Sequence, residues 1–284
     1  MEIKVVDNRK IKLADVLNEQ IQDANYLRFA VAFAKNSGFQ IIKDSLEDFL
    51  GKSGKAIFLI GLDFSSSDPN VLRDLFSYQE KSNSFELLCY RGGEASEVST
   101  YHPKVYLING DVKQNTAIVG SSNLTRGGLI SNTEANILIS SDDDSEIFSD
   151  LSDVFLSLRL DDRRVIPNYK FIDKYEELFK LNRRGKNIRH QKQFQELLDI
   201  EKELPRSNLK ANELSGWMKL VYEHLPEGLF ENAEIYEFEK AFKEIYPENR
   251  NIKAKIRQQL QYLEKFELLD HPDRNQWKKK INKN

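Results

Sequence analysis

The sequence predicts an α/β fold followed by a small helical domain that ends in a hairpin, and three observations carry that expectation. Apolar segments of strand and helix period alternate as far as about residue 160. A polar break at Asn182-Arg183-Arg184-Gly185-Lys186 and a linker candidate, Pro205-Arg206-Ser207-Asn208, come next. Beyond them the pattern changes to three amphipathic helices and one short β element.

Taken in order, Leu13 to Ala24 has helical periodicity and Tyr26 to Phe33 reads as a strand that stops at Ser37-Gly38. Phe39 to Leu50 is a helix and Ala56 to Leu62 a strand. Asp68-Pro69 opens a helix over Asn70 to Gln79, because a capping acid before a first-turn proline suits a helix start. Phe85 to Tyr90, Val105 to Ile108, Thr116 to Val119 and Ala135 to Ile139 are strands. Ser149 to Leu158, Phe171 to Lys180 and Gln193 to Leu204 read as helices. Gly51-Lys52-Ser53 hints at a phosphate loop, but Leu46 stands where such a loop needs glycine, so nucleotide binding is rejected.

With 284 residues and 40% hydrophobic content, the chain can build one large or two modest cores. Its net charge of -3 conceals an asymmetry between the acidic run Asp142-Asp143-Asp144 and a Lys- and Arg-rich stretch from Arg250 to Lys283. The basic end points to a polyanionic partner. A single cysteine, Cys89, excludes an intrachain disulfide and fits a reducing cytoplasm. No apolar run approaches the ~20 residues that span a bilayer, and Met1 to Asp7 lack a signal-peptide core. A membrane partner is therefore not expected.

The chemistry concentrates between residues 101 and 136. His102 and Lys104 are one residue apart at a strand start, so both side chains fall on one face. The strand Thr116 to Val119 runs into Gly120-Ser121-Ser122-Asn123, which brings hydroxyls, an amide and free N–H groups to a strand end where a phosphate would sit. Glu134 stands at the head of the next apolar run, where a carboxylate would orient an imidazole. Turn chemistry alone also accounts for Gly120 to Asn123, and a lone strand histidine is usually structural. It is the joint spacing that favours a site.

These residues resemble the phospholipase D superfamily, whose signature is His-x-Lys, four residues, Asp, then Gly-Ser-x-Asn. His102, Lys104, Gly120, Ser121 and Asn123 match it, while Asn109 replaces the signature Asp and Asp111 lies close by. Leu124-Thr125 and Glu134-Ala135-Asn136 resemble its branch of metal-independent nucleases and restriction endonucleases. The resemblance implies a mixed sheet flanked by helices over residues 1–165 and a helical connector over 166–208. It also implies His102, Lys104, Ser121, Asn123 and Glu134 as catalytic residues, no cofactor and no metal. A superfamily site uses two His-x-Lys motifs, so one motif per chain implies a homodimer through this domain.

In residues 209–284, Leu214 to Leu225, Glu234 to Tyr246 and Asn251 to Lys265 carry apolar faces, and Phe266 to Trp277 suits a hairpin. Ser215-Gly216-Trp217, Tyr246-Pro247-Glu248-Asn249 and Lys253 to Gln261 resemble the C-terminal winged-helix domain of certain restriction endonucleases, methyladenine-dependent enzymes among them. Lys253, Lys255, Arg257, Gln258 and Gln261, with Arg274 and Trp277 in the wing, are then the DNA-binding candidates. His190, His224 and His271 have no partners at metal-ligand spacing. The expectation is a cytoplasmic, homodimeric restriction endonuclease acting on double-stranded DNA, with a helicase or methyltransferase as possible system partner. Two alternatives stay open: a phospholipase D-type phosphodiesterase on another substrate, and a DNA-binding module or nuclease subunit that depends on a helicase.

Overall fold

The computed structural model describes residues 1–90, 100–110, 115–141, 145–184, 192–205 and 209–280. Asp111, the Asp142–Asp144 run, Gly185 and Lys186 of the polar break, His190, residues 206–208 of the linker and Lys283 lie outside them. Contacts divide the chain into two units, Met1–Asp143 with Asp161–Ser207, and Asp144–Leu160 with Asn208–Asn284.

The first unit is built on a mixed sheet. Its strands are β1 (Glu2–Val6), β2 (Ala24–Val31), β3 (Lys55–Gly61), β4 (Phe85–Tyr90), β5 (Lys104–Gly110), β6 (Asn115–Gly120), β7 (Asn136–Ser141) and β8 (Arg164–Val165), in the order β1-β7-β6-β5-β2-β3-β4-β8. Helices α1 (Leu13–Gln22), α2 (Asn36–Gly51) and α3 (Pro69–Lys81) lie between the early strands. Strands β2, β3 and β4 run parallel, which requires the crossover helices α2 and α3; β5, β6 and β7 are joined antiparallel. The central strands are buried along most of their length, which explains their continuous apolar runs. Helix α1 places Leu13, Leu17 and Ile21 at four-residue spacing in the core, and Asp68 caps α3 by accepting from the Asn70 N–H at 3.1 Å.

The expected connector belongs to this same core. Helices α5 (Tyr169–Arg183) and α6 (Lys192–Glu203) contribute Phe171, Ile172, Tyr175, Leu178, Leu197 and Ile200 to the cluster that includes Phe29, Phe58 and Leu87. Arg73 of α3 ties α5 down through Asp173 and Glu176, both at 2.6 Å. The two described strands of the first unit absent from the sequence reading are β1, an exposed edge strand paired with β7, and the two-residue β8.

The second unit contains α4 (Glu146–Arg159), α7 (Gly216–Glu223), β9 (Leu229–Glu231), α8 (Asn232–Tyr236), α9 (Glu239–Ile245), α10 (Ile252–Lys265), β10 (Leu269–Asp273) and β11 (Gln276–Lys279). Strands β10, β11 and β9 form the three-stranded sheet of a winged helix. Trp217, Val221, Phe230, Ile235, Phe242, Ile256, Leu260 and Trp277 make its core. The single helix expected over Glu234 to Tyr246 is two helices, α8 and α9, with a break that lets Phe238 pack edge-on against His224, ring centroids 4.8 Å apart.

Helix α4, assigned by sequence to the N-terminal domain, packs in this second unit. The Ser149 hydroxyl accepts from the Trp217 N–H at 2.8 Å, and Asp153 accepts from the Gln259 side chain at 2.8 Å. Lys255 pairs with Asp150 and lies 3.7 Å from Asp153. The second unit is therefore discontinuous in sequence. Burial beside Gln259 pushes the Asp153 carboxyl up to about 6, opposed by the Gln259 hydrogen bond and the Lys255 charge and assisted by Asp150.

Because the folded carboxyl binds its proton more tightly than the unfolded one, Asp153 favours the folded state below about pH 4, and that contribution is lost as pH rises through about 6. Asp153→Asn should stabilise the second unit above pH 6, on the order of 2 kcal/mol, and give little at pH 4. Both tryptophans of the chain, Trp217 and Trp277, are in this unit, so their fluorescence in urea titrations at the two pH values reads the effect directly.

Candidate active site

The site assembles where three strands end together. Val31 at the end of β2 lies opposite Lys104 at the start of β5, and the Ala32 N–H donates to the Pro103 carbonyl at 2.9 Å, extending the pairing up to the residue after His102. On the other side of β5, β6 ends at Gly120, and the chain enters the Ser121–Asn123 turn. The chain then bridges back to β2: the Leu124 N–H donates to the Phe33 carbonyl at 3.1 Å and the Lys35 N–H to the Leu124 carbonyl at 2.9 Å.

His102 is exposed, and its ring meets Phe33 edge-on at 5.8 Å. Lys104 is buried, with Nζ donating to the His102 carbonyl at 2.9 Å and lying 2.9 Å from His102 Nδ1. Burial lowers the Lys104 pKa, and the negative charge of Glu134 opposes that shift. A charged ammonium only donates, so in this arrangement Nδ1 is the acceptor and the imidazole proton sits on Nε2. Asn123 accepts the Phe33 N–H on Oδ1 at 2.9 Å, which fixes the amide and leaves its Nδ2 without a partner among the described residues. One exposed imidazole, one ammonium and one amide donor thus stand at the ends of neighbouring strands. An imidazole that exchanges a proton next to fixed positive donors can attack or protonate at a phosphodiester while the donors hold the phosphoryl oxygens.

Ser121 and Glu134 occupy a different part of the network from the one expected. The Ser121 hydroxyl donates to Glu134 and accepts from the Ala135 N–H at 3.0 Å, and Glu134 also accepts from Asn132 at 3.3 Å. Within the chain the carboxylate braces the turn, while His102 Nδ1 faces Lys104. Asn109, in the place of the signature Asp, accepts from Arg28 at 3.1 Å and donates to Asn115 at 2.7 Å, so the amide fills a structural position on β5.

Sequence reasoning did not single out Asn136 for a role. It is buried; its Oδ1 accepts the Ser122 N–H at 3.1 Å, and its Nδ2 donates to the Ser122 hydroxyl at 2.9 Å and to the Val6 carbonyl at 3.1 Å. A side chain at Gly120 would come within 2.3 Å of the Ala135 carbonyl, so glycine permits the close approach of β6 to β7 that this clamp needs. Its signal was the buried polar residue two places after Glu134.

In the second unit, Arg257, Gln258 and Gln261 are exposed on α10 and Arg274 on the wing. Lys253 is exposed and lies 3.3 Å from Glu239. Two DNA-binding candidates are placed differently. The Lys255 side chain is 10% exposed against α4, and Trp277 is buried, stacked on His271 at 4.0 Å and donating to Asn232 at 2.8 Å. Lys255 borders the apolar stripe and is drawn to two carboxylates, and Trp277 closes the wing from inside. Among the described residues no group of three or more His, Cys, Asp or Glu could hold a metal ion, and no helix is long and apolar enough to cross a membrane.

Residues 24–159 match the family model described as cardiolipin synthase, PLD-like domain, and residues 213–279 match the Dam-replacing HTH domain. The chain thus carries a phospholipase D-like domain and a Dam-replacing helix-turn-helix domain. No curated protein matches it in sequence. Among solved structures, NucT from Helicobacter pylori is similar at 14% identity and a TM-score of 0.43, covering 55% of this chain and 94% of that one. The phospholipase D family member Nuc from Salmonella typhimurium gives 12% identity and a TM-score of 0.40 over 55% of this chain and 92% of that one. Phosphatidylserine synthase from Haemophilus influenzae Rd KW20 gives 13% identity and a TM-score of 0.44 over 64% and 46%.

Asn136→Ala should cost about 2–4 kcal/mol in the first unit, since it leaves the Ser122 N–H and the Val6 carbonyl buried without a partner. Denaturant titration followed by far-ultraviolet circular dichroism measures the loss. Asn136→Asp should restore only part of it, because a carboxylate cannot donate to Val6.

Proposed function

We propose that the chain is a metal-independent DNA endonuclease of the phospholipase D type, acting as a homodimer in a restriction system. The observation that carries this reading is the joint placement of His102, Lys104 and Asn123 at adjoining strand ends, in a chain that also bears a helix-turn-helix domain. One imidazole per chain is half of what a double displacement at phosphorus needs, so a second copy supplies the other. One His102 attacks phosphorus through Nε2 and forms a phosphohistidine, while the second, as the imidazolium carrying a proton on each nitrogen, donates its Nε2 proton to the leaving oxygen and becomes neutral. Water then attacks the phosphohistidine, giving its proton to the second imidazole, and the first histidine leaves.

For attack the imidazole proton must lie on Nδ1, and Glu134 is the carboxylate of the cluster that would favour that tautomer once the Lys104 contact is given up. Lys104 and Asn123 Nδ2 would stabilise the charge that builds on the phosphoryl oxygens. In the second unit Arg257, Gln258, Gln261, Lys253 and Arg274 would meet DNA, with α10 entering the major groove. The DNA-dependent reading is favoured over a lipid substrate because the helix-turn-helix match gives DNA a place to bind.

Plasmid cleavage should persist in excess EDTA, sediment with a dimer, and fall by at least about 10³-fold in His102→Ala while duplex binding is retained. Cleavage that disappears in EDTA and returns with magnesium would overturn the mechanism, and a fully active monomer would overturn the shared site. For recognition, the triple change Arg257→Ala, Gln258→Ala and Gln261→Ala should cost about 1–3 kcal/mol per base contact on a preferred site and little on random duplex. Gel-shift titration of both duplexes checks this. Equal losses on the two would place sequence reading elsewhere.

A further inference from the structure

Among the described residues of the first unit, Phe64 is the one whose backbone and side chain both run against ordinary preference. It is 65% exposed and has φ 58°, a left-handed conformation that an aromatic residue rarely adopts. The next residue, Ser65, has φ 48°. The surrounding structure holds this loop from several sides. Asn182 Nδ2 donates to the Phe64 carbonyl at 2.6 Å, and the Ser66 hydroxyl and N–H donate to the Asp63 carbonyl at 2.7 and 3.2 Å. Ser67 donates to the Gly61 carbonyl at 2.6 Å and accepts the Ala34 N–H at 3.0 Å. Strain that is over-determined by its surroundings and presents a bare aromatic ring points to use by a ligand.

The loop is also wired to the site. The Asp63 carboxylate accepts the Tyr101 N–H at 2.8 Å, one residue before His102, and a side chain at Gly61 would meet the Tyr101 ring at 2.7 Å. Ala34, which binds Ser67, lies between Phe33 and Lys35 on the segment that holds Asn123. Two cations stand together in the same unit. Lys35 and Arg183 both lie over the Phe179 ring, at 5.3 and 5.7 Å; burial lowers the Lys35 pKa, Asp68 opposes that shift, and the nearby Arg183 charge adds to it. Arg183 follows Asn182, the residue that clamps Phe64. An exposed ring, two cations held together and an adjoining phosphodiester site are the components of a single-strand subsite, in which bases stack and phosphates pair.

We propose that Phe64 is a stacking platform for an unstacked nucleobase next to the scissile phosphate, with Lys35 and Arg183 meeting phosphates of the same strand. This rests on the reading of the first unit as a DNA phosphodiesterase. It assigns the site a strand that is frayed, flipped or single over the nucleotide it cuts beside, whereas duplex reading belongs to the second unit.

The test is the affinity of the full chain, in a His102→Ala background so that nothing is cleaved, for fluorescent hexathymidylate, which is unpaired and too short to occupy a duplex reader. Phe64→Ala should weaken binding about tenfold and Phe64→Trp should keep it. Lys35→Ala with Arg183→Ala should weaken it and flatten its salt dependence. Phe64→Gly separates stacking from folding: glycine accepts the left-handed conformation, so this variant should melt at or above the parent temperature and still lose the affinity. Parent-like affinity in Phe64→Ala or Phe64→Gly, or no hexathymidylate binding by the parent, overturns the subsite. Duplex cleavage that is absent, or indifferent to His102→Ala, overturns the endonuclease reading instead, and is read in a separate assay.

Discussion

The site of the first unit hangs on five backbone groups of three residues, Ala32 to Ala34, just beyond β2. The Ala32 N–H holds Pro103, the Phe33 N–H holds the Asn123 side chain, the Phe33 carbonyl holds Leu124, and the Ala34 N–H holds Ser67, while the Ala34 carbonyl takes the Asp68 N–H at 2.7 Å. One extended segment thus fixes the start of β5, the turn after β6 and the loop after β3 at once. Extended backbone has donors and acceptors on both edges, and a strand in mid-sheet that outruns its neighbours must satisfy them with whatever comes alongside. Here the partners are Asn123 itself and residues adjoining His102, Asn123 and the loop after β3, so the extended main chain positions the candidate site.

How much of this was legible in the sequence follows from how local each feature is. Strands β3 and β4 were readable because burial on both faces leaves an uninterrupted apolar run. The proximity of His102 and Lys104 was readable because strand period puts residues two apart on one face, whereas the placement of Asn123 comes from the turn after β6. Strand β1 escaped because Glu2 to Val5 are all exposed, so no face of it reads as buried, and β9 because three residues are too few to show a period. Lys255 was read as outward. It sits three residues after Ile252 and four before Gln259, at the margin of the apolar stripe, where only knowledge of Asp150 and Asp153 on α4 settles its direction. The left-handed Phe64 left no trace in a sequence without glycine or asparagine at that position.

The allegiance of α4 shows why domain boundaries read from linkers go astray. Pro205 to Asn208 has the composition of a linker, and a break there is real, but α4 lies before it and its polar face is complementary to α10 and α7. Asp150 and Asp153 would be an ordinary solvated pair on an isolated helix. Set against Lys255 and Gln259, Asp153 is part of a buried polar contact, with Asp150 pairing Lys255 at its exposed edge. Lys255 is therefore engaged in folding, and Lys253, Arg257, Gln258 and Gln261 are the α10 side chains left exposed for the proposed DNA contact.

In the proposed mechanism Lys104 carries the electrostatic demand, and two opposing effects decide whether it can meet it. Burial disfavours the ammonium, and Glu134 favours it. A phosphodiester arriving at the site brings a further negative charge beside Nζ, which acts in the same direction as Glu134 and offsets the cost of burial. Binding of substrate and charging of Lys104 are therefore mutually supporting. The same ammonium, once drawn to a phosphoryl oxygen, has less hold on His102 Nδ1, and a proton can then reside there, leaving Nε2 with the lone pair needed to attack phosphorus. On this argument the resting contact between Lys104 and His102 keeps the imidazole in its donating tautomer until a phosphate competes for the lysine, so the nucleophile is prepared by the substrate it will attack.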